Sequence, residues 1–247
     1  MKDTPKMRPG RRMVLSLKTT ALCHEKCGSW CVVKPWMHKH AGQETTIQSI
    51  EDLVRYSLDS GYHYKAIVLS GGEPFLWSHI HEASRLLKWS GITDALTVYT
   101  NGLEEDAILL NAHYFDRVLL SVYDYNIDEI DRLHETLGNS EIKLKKNLFH
   151  APKDAVDPLP ADCGCSAYGM WQNRVTLCSS MEFYYLYMGW EMPADEITTL
   201  RPDYLDAFTD MDPHNREICR WCFGNRRVRE KAVTVKNPGY GLWTMRS

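Results

Sequence analysis

The sequence predicts an α/β fold with a parallel sheet, because strand patterns and amphipathic helix patterns alternate along the first 150 residues. Two further observations agree with this prediction. Residues 66–69 form a continuous apolar run, which is typical of a strand buried on both faces of a parallel sheet. The turns that carry unusual residues all follow predicted strands, as active groups do in barrels of parallel strands.

The strand and helix patterns can be placed in order along the chain. The predicted strands are 13–17, 66–69, 95–99, 117–122 and one beginning at 142, and the predicted helices are 47–58, 80–89, 103–110 and 127–137. Thr45 or Thr46 caps the first helix, and Gly61 ends it. Prolines among charged residues predict a linker over 151–161. Beyond it the sequence predicts a strand at 174–178 and a short helix at 202–208.

Length and charge limit the classes of function. The chain has 247 residues, enough for one large or two modest domains. Its formal net charge of −3 gives no whole-chain attraction to nucleic acid or to an anionic membrane. No apolar run approaches the roughly 20 residues of a membrane span, and Lys18 cuts the apolar run after the basic N-terminal residues too short for a signal peptide. We therefore expect a cytoplasmic protein with no nucleic-acid or membrane partner.

The cysteines fall into two groups separated by a long cysteine-free stretch. The first group is Cys23, Cys27 and Cys31, and the second is Cys163, Cys165, Cys178, Cys219 and Cys222. Disulfide frameworks belong mainly to small secreted domains with weak cores. In a chain of this size, the Cys-x2-Cys pair at 219 and 222 favours metal binding in a reducing compartment. Metal binding is therefore the preferred interpretation, with disulfides as the alternative.

The first cysteine group and a glycine-rich turn follow the first two predicted strands. Cys23, Cys27 and Cys31 share one short loop with the spacing Cys-x3-Cys-x3-Cys. A 4Fe–4S cluster normally takes four cysteines, so three thiolates leave one iron open to a substrate or cofactor. The turn Gly71-Gly72-Glu73-Pro74 follows the second strand, and its glycines can bring bare backbone close to a ligand.

Together these two motifs resemble the radical S-adenosylmethionine (radical SAM) superfamily. The usual family spacing is Cys-x3-Cys-x2-Cys, one residue shorter than here, and an aromatic residue precedes the last cysteine, as Trp30 does in this chain. The resemblance implies that the three cysteines hold a 4Fe–4S cluster whose open iron binds SAM. It also implies that Gly71, Gly72 and Glu73 bind the SAM amino group and that Trp30 lies beside the adenine. The implied fold for residues 1–150 is a partial TIM-type (β/α)6 barrel.

Further cofactor-binding candidates follow the predicted strands. Ser70 follows the second strand, Thr100 and Asn101 follow the third, and Ser121 lies near the end of the fourth. Contact with SAM is one interpretation of these residues, and ordinary turn formation is the alternative for Asn101. The histidines near the first cysteine group, His24, His38 and His40, are predicted to lie in a solvated loop.

The second cysteine group supplies enough thiolates to close a second metal site. Four thiolates suit zinc and a 4Fe–4S cluster alike. The order of these cysteines resembles the twitch domain, a short auxiliary-cluster module of the SPASM/twitch branch of radical SAM enzymes. The resemblance implies a cluster on Cys165, Cys178, Cys219 and Cys222, with Cys163 as a possible substitute. It implies a small C-terminal twitch-like domain over 162–247, after the linker at 151–161.

The function that these resemblances imply is a radical SAM oxidoreductase with two 4Fe–4S clusters. Such an enzyme cleaves SAM reductively to a 5′-deoxyadenosyl radical, which abstracts a hydrogen from a substrate. We expect a small-molecule substrate, an oxidation assisted by the second cluster, and an electron donor such as flavodoxin or ferredoxin. A radical SAM peptide maturase, an epimerase or a rearrangement enzyme is an alternative of the same class. A zinc- or cluster-binding structural module is the alternative of another class.

Overall fold

The structure is a computed structural model, and it describes residues 14–26, 31, 33–138, 143–148 and 167–208. Within these residues, eight strands form one sheet and six α-helices surround it. The strands are β1 (Val14–Lys18), β2 (Ala66–Ser70), β3 (Leu96–Thr100), β4 (Arg117–Val122), β5 (Lys143–Leu148), β6 (Ala167–Trp171), β7 (Arg174–Thr176) and β8 (Ile197–Thr199). The helices are α1 (Lys34–Lys39), α2 (Ile47–Asp59), α3 (Ile80–Trp89), α4 (Glu105–Asn111), α5 (Ile127–Gly138) and α6 (Met181–Met188). None of the described helices is both long and apolar enough to cross a bilayer.

The predicted parallel α/β fold is confirmed. The strands lie in the order β5-β4-β3-β2-β1-β6-β7-β8. Every neighbouring pair from β5 to β6 is parallel, whereas β7 and β8 continue the sheet in antiparallel pairing. Six parallel strands in an open sheet, most of them connected through helices, make a partial TIM-type barrel. The sixth parallel strand, β6, is not among the strands predicted from the sequence.

The two faces of the sheet differ in their side chains. Leu15 and Leu17 of β1, with Ile67 and Leu69 of β2, are fully buried in the main core, to which α2 and α3 contribute their apolar faces. Side chains alternate between the faces of a strand, so Ser16, Lys18 and Ser70 lie on the opposite face. We call this second face the open face. Tyr99 of β3 also lies there and is 38% exposed.

Sequence patterns located the helices that pack on the core. Helix α2 begins after Thr46, whose side chain accepts a hydrogen bond from the Ser49 N–H, so the predicted cap is confirmed. Helix α3 spans the predicted residues, and α5 ends one residue beyond its prediction. These helices are amphipathic over at least ten residues, and a long periodic pattern is the strongest helix signal in a sequence.

The short helices α1 and α6 are not predicted from the sequence. Helix α1 has six residues and α6 has eight, too few to display a clear helical period. The prediction of a solvated loop is therefore wrong for His40, whereas His38 is exposed to solvent as predicted but belongs to a helix. His38 lies in the last turn of α1, and His40 is the C-terminal cap of that helix and is only 8% exposed.

The last described residues, near 204–208, pack on α2 and on the segment before β2. Residues Tyr204–Phe208 form a 3₁₀ segment where the sequence predicted a short helix. The buried hydroxyl of Tyr204 meets those of Tyr64 and Ser57, which belong to the segment before β2 and to α2. The predicted linker and most of the predicted auxiliary domain lie outside the described residues, so these domain boundaries stay predictions.

Candidate cofactor site

The residues proposed from the sequence converge on one edge of the sheet. Parallel pairing of β1, β2, β3 and β4 places the carboxyl ends of these strands side by side. The loop with Cys23 follows β1, and the Gly71–Glu73 turn follows β2. Thr100 and Asn101 lie at the end of β3, and Ser121 lies near the end of β4. The edge therefore collects short polar segments from four strands, as the active edge of a parallel barrel does.

The segment before Cys23 is fastened to the glycine-rich turn by backbone hydrogen bonds. The Thr19 N–H donates to the Ser70 carbonyl at 2.8 Å, and the Gly72 N–H donates to the Thr20 carbonyl at 2.8 Å. The Glu73 N–H donates to the Leu22 carbonyl at 2.7 Å. Pairing thus continues past the ends of β1 and β2, and it carries Cys23 to the side of the turn.

Close packing of these two segments requires both glycines. Gly71 has a φ of +119°, which is rarely adopted by residues with a side chain. A Cβ atom at Gly72 would overlap the carbonyl oxygen of Leu22 and lie 3.1 Å from the carbonyl oxygen of Thr20. The sequence predicts that these glycines bring bare backbone close to a ligand. The structure shows that protein backbone already occupies the space beside them.

Two cysteines of the first group are described, and their thiols are close enough to interact. Cys23 and Cys31 are both half-buried. Burial raises the pKa of Cys23, and the negative charges of Glu73 and Cys31 raise it further. Cys27 and Trp30 lie outside the described residues. Among the described residues alone, no three His, Cys, Asp or Glu side chains converge on a metal position. Two neighbouring thiols, with Cys27 on the same loop, fit a metal group that thiolates bind, such as an iron–sulfur cluster.

Glu73 lies inside the protein beneath the turn and is only 1% exposed. One carboxylate oxygen accepts hydrogen bonds from the Thr100 hydroxyl at 2.7 Å and the Phe75 N–H at 3.2 Å, and the other accepts from the Asn101 N–H at 2.8 Å. Burial raises the pKa of Glu73 to about 7, against the three hydrogen bonds, which lower it. Both oxygens of the Glu73 carboxylate are therefore used within the protein, where they join the ends of β2 and β3.

Asn101 connects this network to the cysteine loop. Its side-chain amide donates to Nδ1 of His24 at 3.1 Å, and its side-chain oxygen accepts from the Leu103 N–H at 3.0 Å. Nε2 of His24 lies 2.9 Å from a carboxylate oxygen of Glu104. His24 directly follows Cys23, so the turn after β3 holds the start of the cysteine loop. From the sequence, His24 is expected only in a solvated loop, and its contacts with Asn101 and Glu104 are not predicted.

Ser70 and Ser121 occupy different environments. The Ser70 hydroxyl lies 2.9 Å from that of Ser16 on the open face. Ser121 is 7% exposed, and its carbonyl accepts a hydrogen bond from the side chain of Asn126 at 3.0 Å. Asn126 is fully buried and also donates to the Asn101 carbonyl at 2.6 Å, so it ties the end of β4 to the end of β3. Asn126 is not among the residues proposed from the sequence, although an asparagine directly before a predicted helix is a recognisable signal for a helix cap.

Cys178 is the one described member of the second cysteine group, and it lies in the turn between β7 and α6. Its carbonyl accepts a hydrogen bond from the Thr176 hydroxyl at 3.0 Å. A Cβ atom at Gly169 would lie 3.2 Å from that carbonyl oxygen and 3.1 Å from the Cα of Ser179. The Cys178 backbone therefore passes directly over β6. The other members, Cys163, Cys165, Cys219 and Cys222, lie outside the described residues.

Comparison with known proteins gives matches among solved structures only. No protein-family model and no curated protein matches the sequence. The structure of BtrN in complex with AdoMet and 2-DOIA has a TM-score of 0.58 and 13% sequence identity, over 94% of this chain and 97% of that one. BtrN in an open conformation has a TM-score of 0.52 and 14% identity, over 86% of this chain and 84% of that one. The native anSMEcpe structure with bound AdoMet has a TM-score of 0.55 and 11% identity, over 82% of each chain. The chain therefore has the fold of the radical SAM superfamily.

Proposed function

We propose that this protein is a radical SAM enzyme that binds a 4Fe–4S cluster on Cys23, Cys27 and Cys31 and cleaves SAM reductively. The observation that carries the proposal is the fastening of the cysteine loop to the Gly71–Glu73 turn. Hydrogen bonds at 2.7 and 2.8 Å hold the residues just before Cys23 against that turn. The two motifs that the radical SAM resemblance pairs are thus adjacent in space, at the carboxyl edge of a sheet with the matching fold.

The cofactors supply the chemistry, and the protein supplies their position. When bound to these cysteines, a 4Fe–4S cluster would supply the electron for reductive cleavage of SAM to methionine and a 5′-deoxyadenosyl radical, which would take a hydrogen atom from the substrate. The backbone of the Gly71–Glu73 turn is the proposed site for the SAM amino group. Glu73, Thr100 and Asn101 hold this turn and His24 in place from inside the protein. Trp30 is the proposed neighbour of the adenine, and Ser70 and Ser121 are proposed contacts at the same edge.

A second 4Fe–4S cluster is proposed on Cys165, Cys178, Cys219 and Cys222, with Cys163 as the possible replacement for Cys165. The position of Cys178 supports it. The hairpin of β6 and β7 and the short helix α6 flank this cysteine, as a hairpin and a short helix flank the cluster of a twitch domain. Thiolates at this turn would bring a metal group next to the open face of the sheet.

The proposed reaction is the oxidation of a small molecule. The BtrN structure that contains AdoMet and 2-DOIA resembles this chain over nearly the whole of both chains, 94% of this one and 97% of that one, and this likeness supports the proposal. In the proposed reaction, removal of a hydrogen atom from the substrate would be followed by loss of one electron and one proton, and the second cluster would supply the acceptor for that electron, which completes a two-electron oxidation. A small electron-transfer protein such as flavodoxin or ferredoxin is the proposed donor to the first cluster.

The decisive experiment measures 5′-deoxyadenosine. Protein reconstituted anaerobically with iron and sulfide is mixed with SAM and a strong reductant, and we expect one 5′-deoxyadenosine for each SAM cleaved. The matched control replaces Cys23, Cys27 and Cys31 with Ala, and we expect it to lose this product while it keeps the spectrum of the second cluster. Product formation by the control would contradict the proposal. Zinc without labile sulfide in an anaerobic preparation would instead support the structural module.

A further inference from the structure

A buried ion pair connects the strand before the first cysteine loop to the helix after Cys178. Lys18, the last residue of β1, is fully buried, and its ammonium lies 2.9 Å from a carboxylate oxygen of Glu182. Glu182 belongs to the first turn of α6, four residues after Cys178. The ammonium also lies 4.5 Å from the ring centroid of Phe183 and 5.7 Å from that of Trp36.

Two more basic side chains face the same carboxylate. The second oxygen of Glu182 lies 3.6 Å from Nε2 of His40 and 3.7 Å from a guanidinium nitrogen of Arg174. We call Lys18, His40, Arg174 and Glu182 the Lys18 charge cluster. Burial lowers the pKa of His40, which favours the neutral ring. One ammonium and one guanidinium against one carboxylate then leave the Lys18 charge cluster with a net charge of about +1.

Each member of the ion pair stabilises the charged form of the other against burial. Burial lowers the pKa of Lys18, and the carboxylate of Glu182 acts against this shift. Burial would raise the pKa of Glu182, but Lys18 and Arg174 hold it below its ordinary value. The contact of 2.9 Å with an ionised carboxylate favours the ammonium of Lys18 between the aromatic rings of Trp36, Trp171 and Phe183.

Stability alone does not require these charges. A buried ion pair loses so much hydration that apolar residues of similar size often stabilise a protein equally well or better. The aromatic rings around Lys18 would accept such residues. Lys18 is fully buried and the side chain of Arg174 is 37% exposed, and a net positive charge in this partly buried setting is suited to an anionic partner, whose attraction is stronger where water is excluded.

Cys178 is the candidate for that partner. A negative charge on Cys178 would act against the lowering of the Lys18 pKa by burial, so the two groups are within electrostatic reach. The register supports this, because Gly169, over which the Cys178 backbone passes, pairs with Ser16, two residues before Lys18 on the same strand. An iron–sulfur cluster with four thiolates is anionic and becomes more so on reduction, and its potential depends on the charge around it.

We propose that the Lys18 charge cluster is an electrostatic positioning element for the metal group bound at Cys178, and that its positive charge favours the reduced state of that group. This proposal rests on the second cluster of the proposed function. Lys18 acts through space, without direct coordination, and fixes both the charge and the place of the helix that follows Cys178. Removal of its charge should lower the reduction potential of that cluster, and removal of the opposing carboxylate should raise it.

The test is a redox titration followed by electron paramagnetic resonance at pH 8. The reference is the full chain with Cys23, Cys27 and Cys31 changed to Ala, so that the signal comes from the second cluster. In this background we expect Lys18→Met to shift the potential downwards and Glu182→Gln to shift it upwards. The double change Lys18→Met with Glu182→Met keeps the net charge of +1 and should return the potential close to the reference. Lys88→Met alters an ion pair that involves Asp116, before β4, and should leave the potential unchanged.

Opposite shifts from the two single variants are the result that a merely structural role would not produce. Unchanged potentials, or shifts in the same direction, would overturn the proposal while leaving the second cluster intact. If Lys18→Met does not fold, Glu182→Gln and the double variant decide the question by the same criterion. A reference protein without iron and labile sulfide would overturn both the second cluster and the role of the Lys18 charge cluster.

Discussion

At the residue scale, the structure gives Gly72 a packing role inside the protein. The sequence predicts that Gly72 lets bare backbone approach a ligand. In the structure its missing side chain makes room for the carbonyl group of Leu22. Any larger residue would therefore displace the cysteine loop itself. Loss of SAM binding in such a variant would report a disturbed loop, so unfolding is the more direct measurement.

We predict that Gly72→Ala destabilises the protein by roughly 2 kcal/mol or more, because the new methyl group overlaps backbone that cannot rotate away. Chemical denaturation of the purified protein measures this difference. Gly138→Ala is the matched control, since no atom of the described residues lies within 4 Å of a Cβ atom at that position. The control should be neutral or slightly stabilising. A loss below about 0.5 kcal/mol for Gly72→Ala would contradict the described packing.

The second prediction at the residue scale concerns Glu73 and the dependence of protein stability on pH. Burial raises its pKa from 4.5 to about 7, so the folded protein holds this proton more tightly than the unfolded chain does. The contribution of Glu73 to stability is therefore fully present below pH 4.5 and is lost as the pH rises through about 7. Between pH 5 and 8, the stability of the wild type relative to Glu73→Gln should fall by roughly 2 to 3 kcal/mol.

Urea unfolding of the wild type and of Glu73→Gln at several pH values provides the measurement. The difference between the two proteins cancels the titration of groups that they share. A difference that stays constant from pH 5 to 8 would show that Glu73 keeps an ordinary pKa in the folded protein.

At the element scale, the two short helices that the sequence did not reveal face each other across a small aromatic core. Trp36 of α1 is fully buried, and its ring lies 4.7 Å from that of Trp171 and 5.3 Å from that of Phe183 in α6, in edge-on geometry. Helix α1 follows the first cysteine loop, and α6 follows Cys178. The packing of α1 on α6 thus joins the two candidate metal loops.

We predict that Trp36→Ala costs about 3 to 5 kcal/mol, because it removes one of the two tryptophan side chains of this aromatic core. Hydrogen exchange should show loss of protection in both α1 and α6, while α2 and α3 keep theirs. Trp89→Ala is the matched control, since that side chain is 67% exposed, and it should change stability by less than about 0.5 kcal/mol. Protection that is lost in α1 alone would argue against this connection.

At the scale of the whole molecule, one sheet carries described cysteines of both groups, Cys23 of the first and Cys178 of the second. Strand β1 leads to Cys23, and β6, its parallel neighbour, begins the hairpin that ends at Cys178. Cysteines that lie far apart in sequence are thus attached to neighbouring strands. Metal bound in the second group would tie the C-terminal part of the chain to this sheet, because ligands from distant segments must come together.

We predict that Cys219→Ala with Cys222→Ala lowers iron from about eight to about four atoms per chain, and that it destabilises the C-terminal third. Iron and labile-sulfide analysis of anaerobic protein is the measurement. Single Ala variants at Cys165 and Cys163 serve as a matched pair, of which the first should lose the cluster and the second should keep it. Full iron content in the Cys219 and Cys222 double variant would remove these residues from the proposed ligand set.

The sequence by itself determined the parallel α/β fold and the location of the site at the strand ends. Both depend on local signals, because apolar periodicity sets strands and helices, and short motifs such as Gly71–Gly72 lie at fixed positions after them. It did not determine what those residues contact. That Gly72 faces Leu22, that Glu73 joins Thr100 to Asn101, and that Lys18 pairs with Glu182 across 164 residues all depend on which strands become neighbours. Only the tertiary structure decides this, because pairing of β1 with β2 and β6 brings together residues between which the sequence carries no local signal.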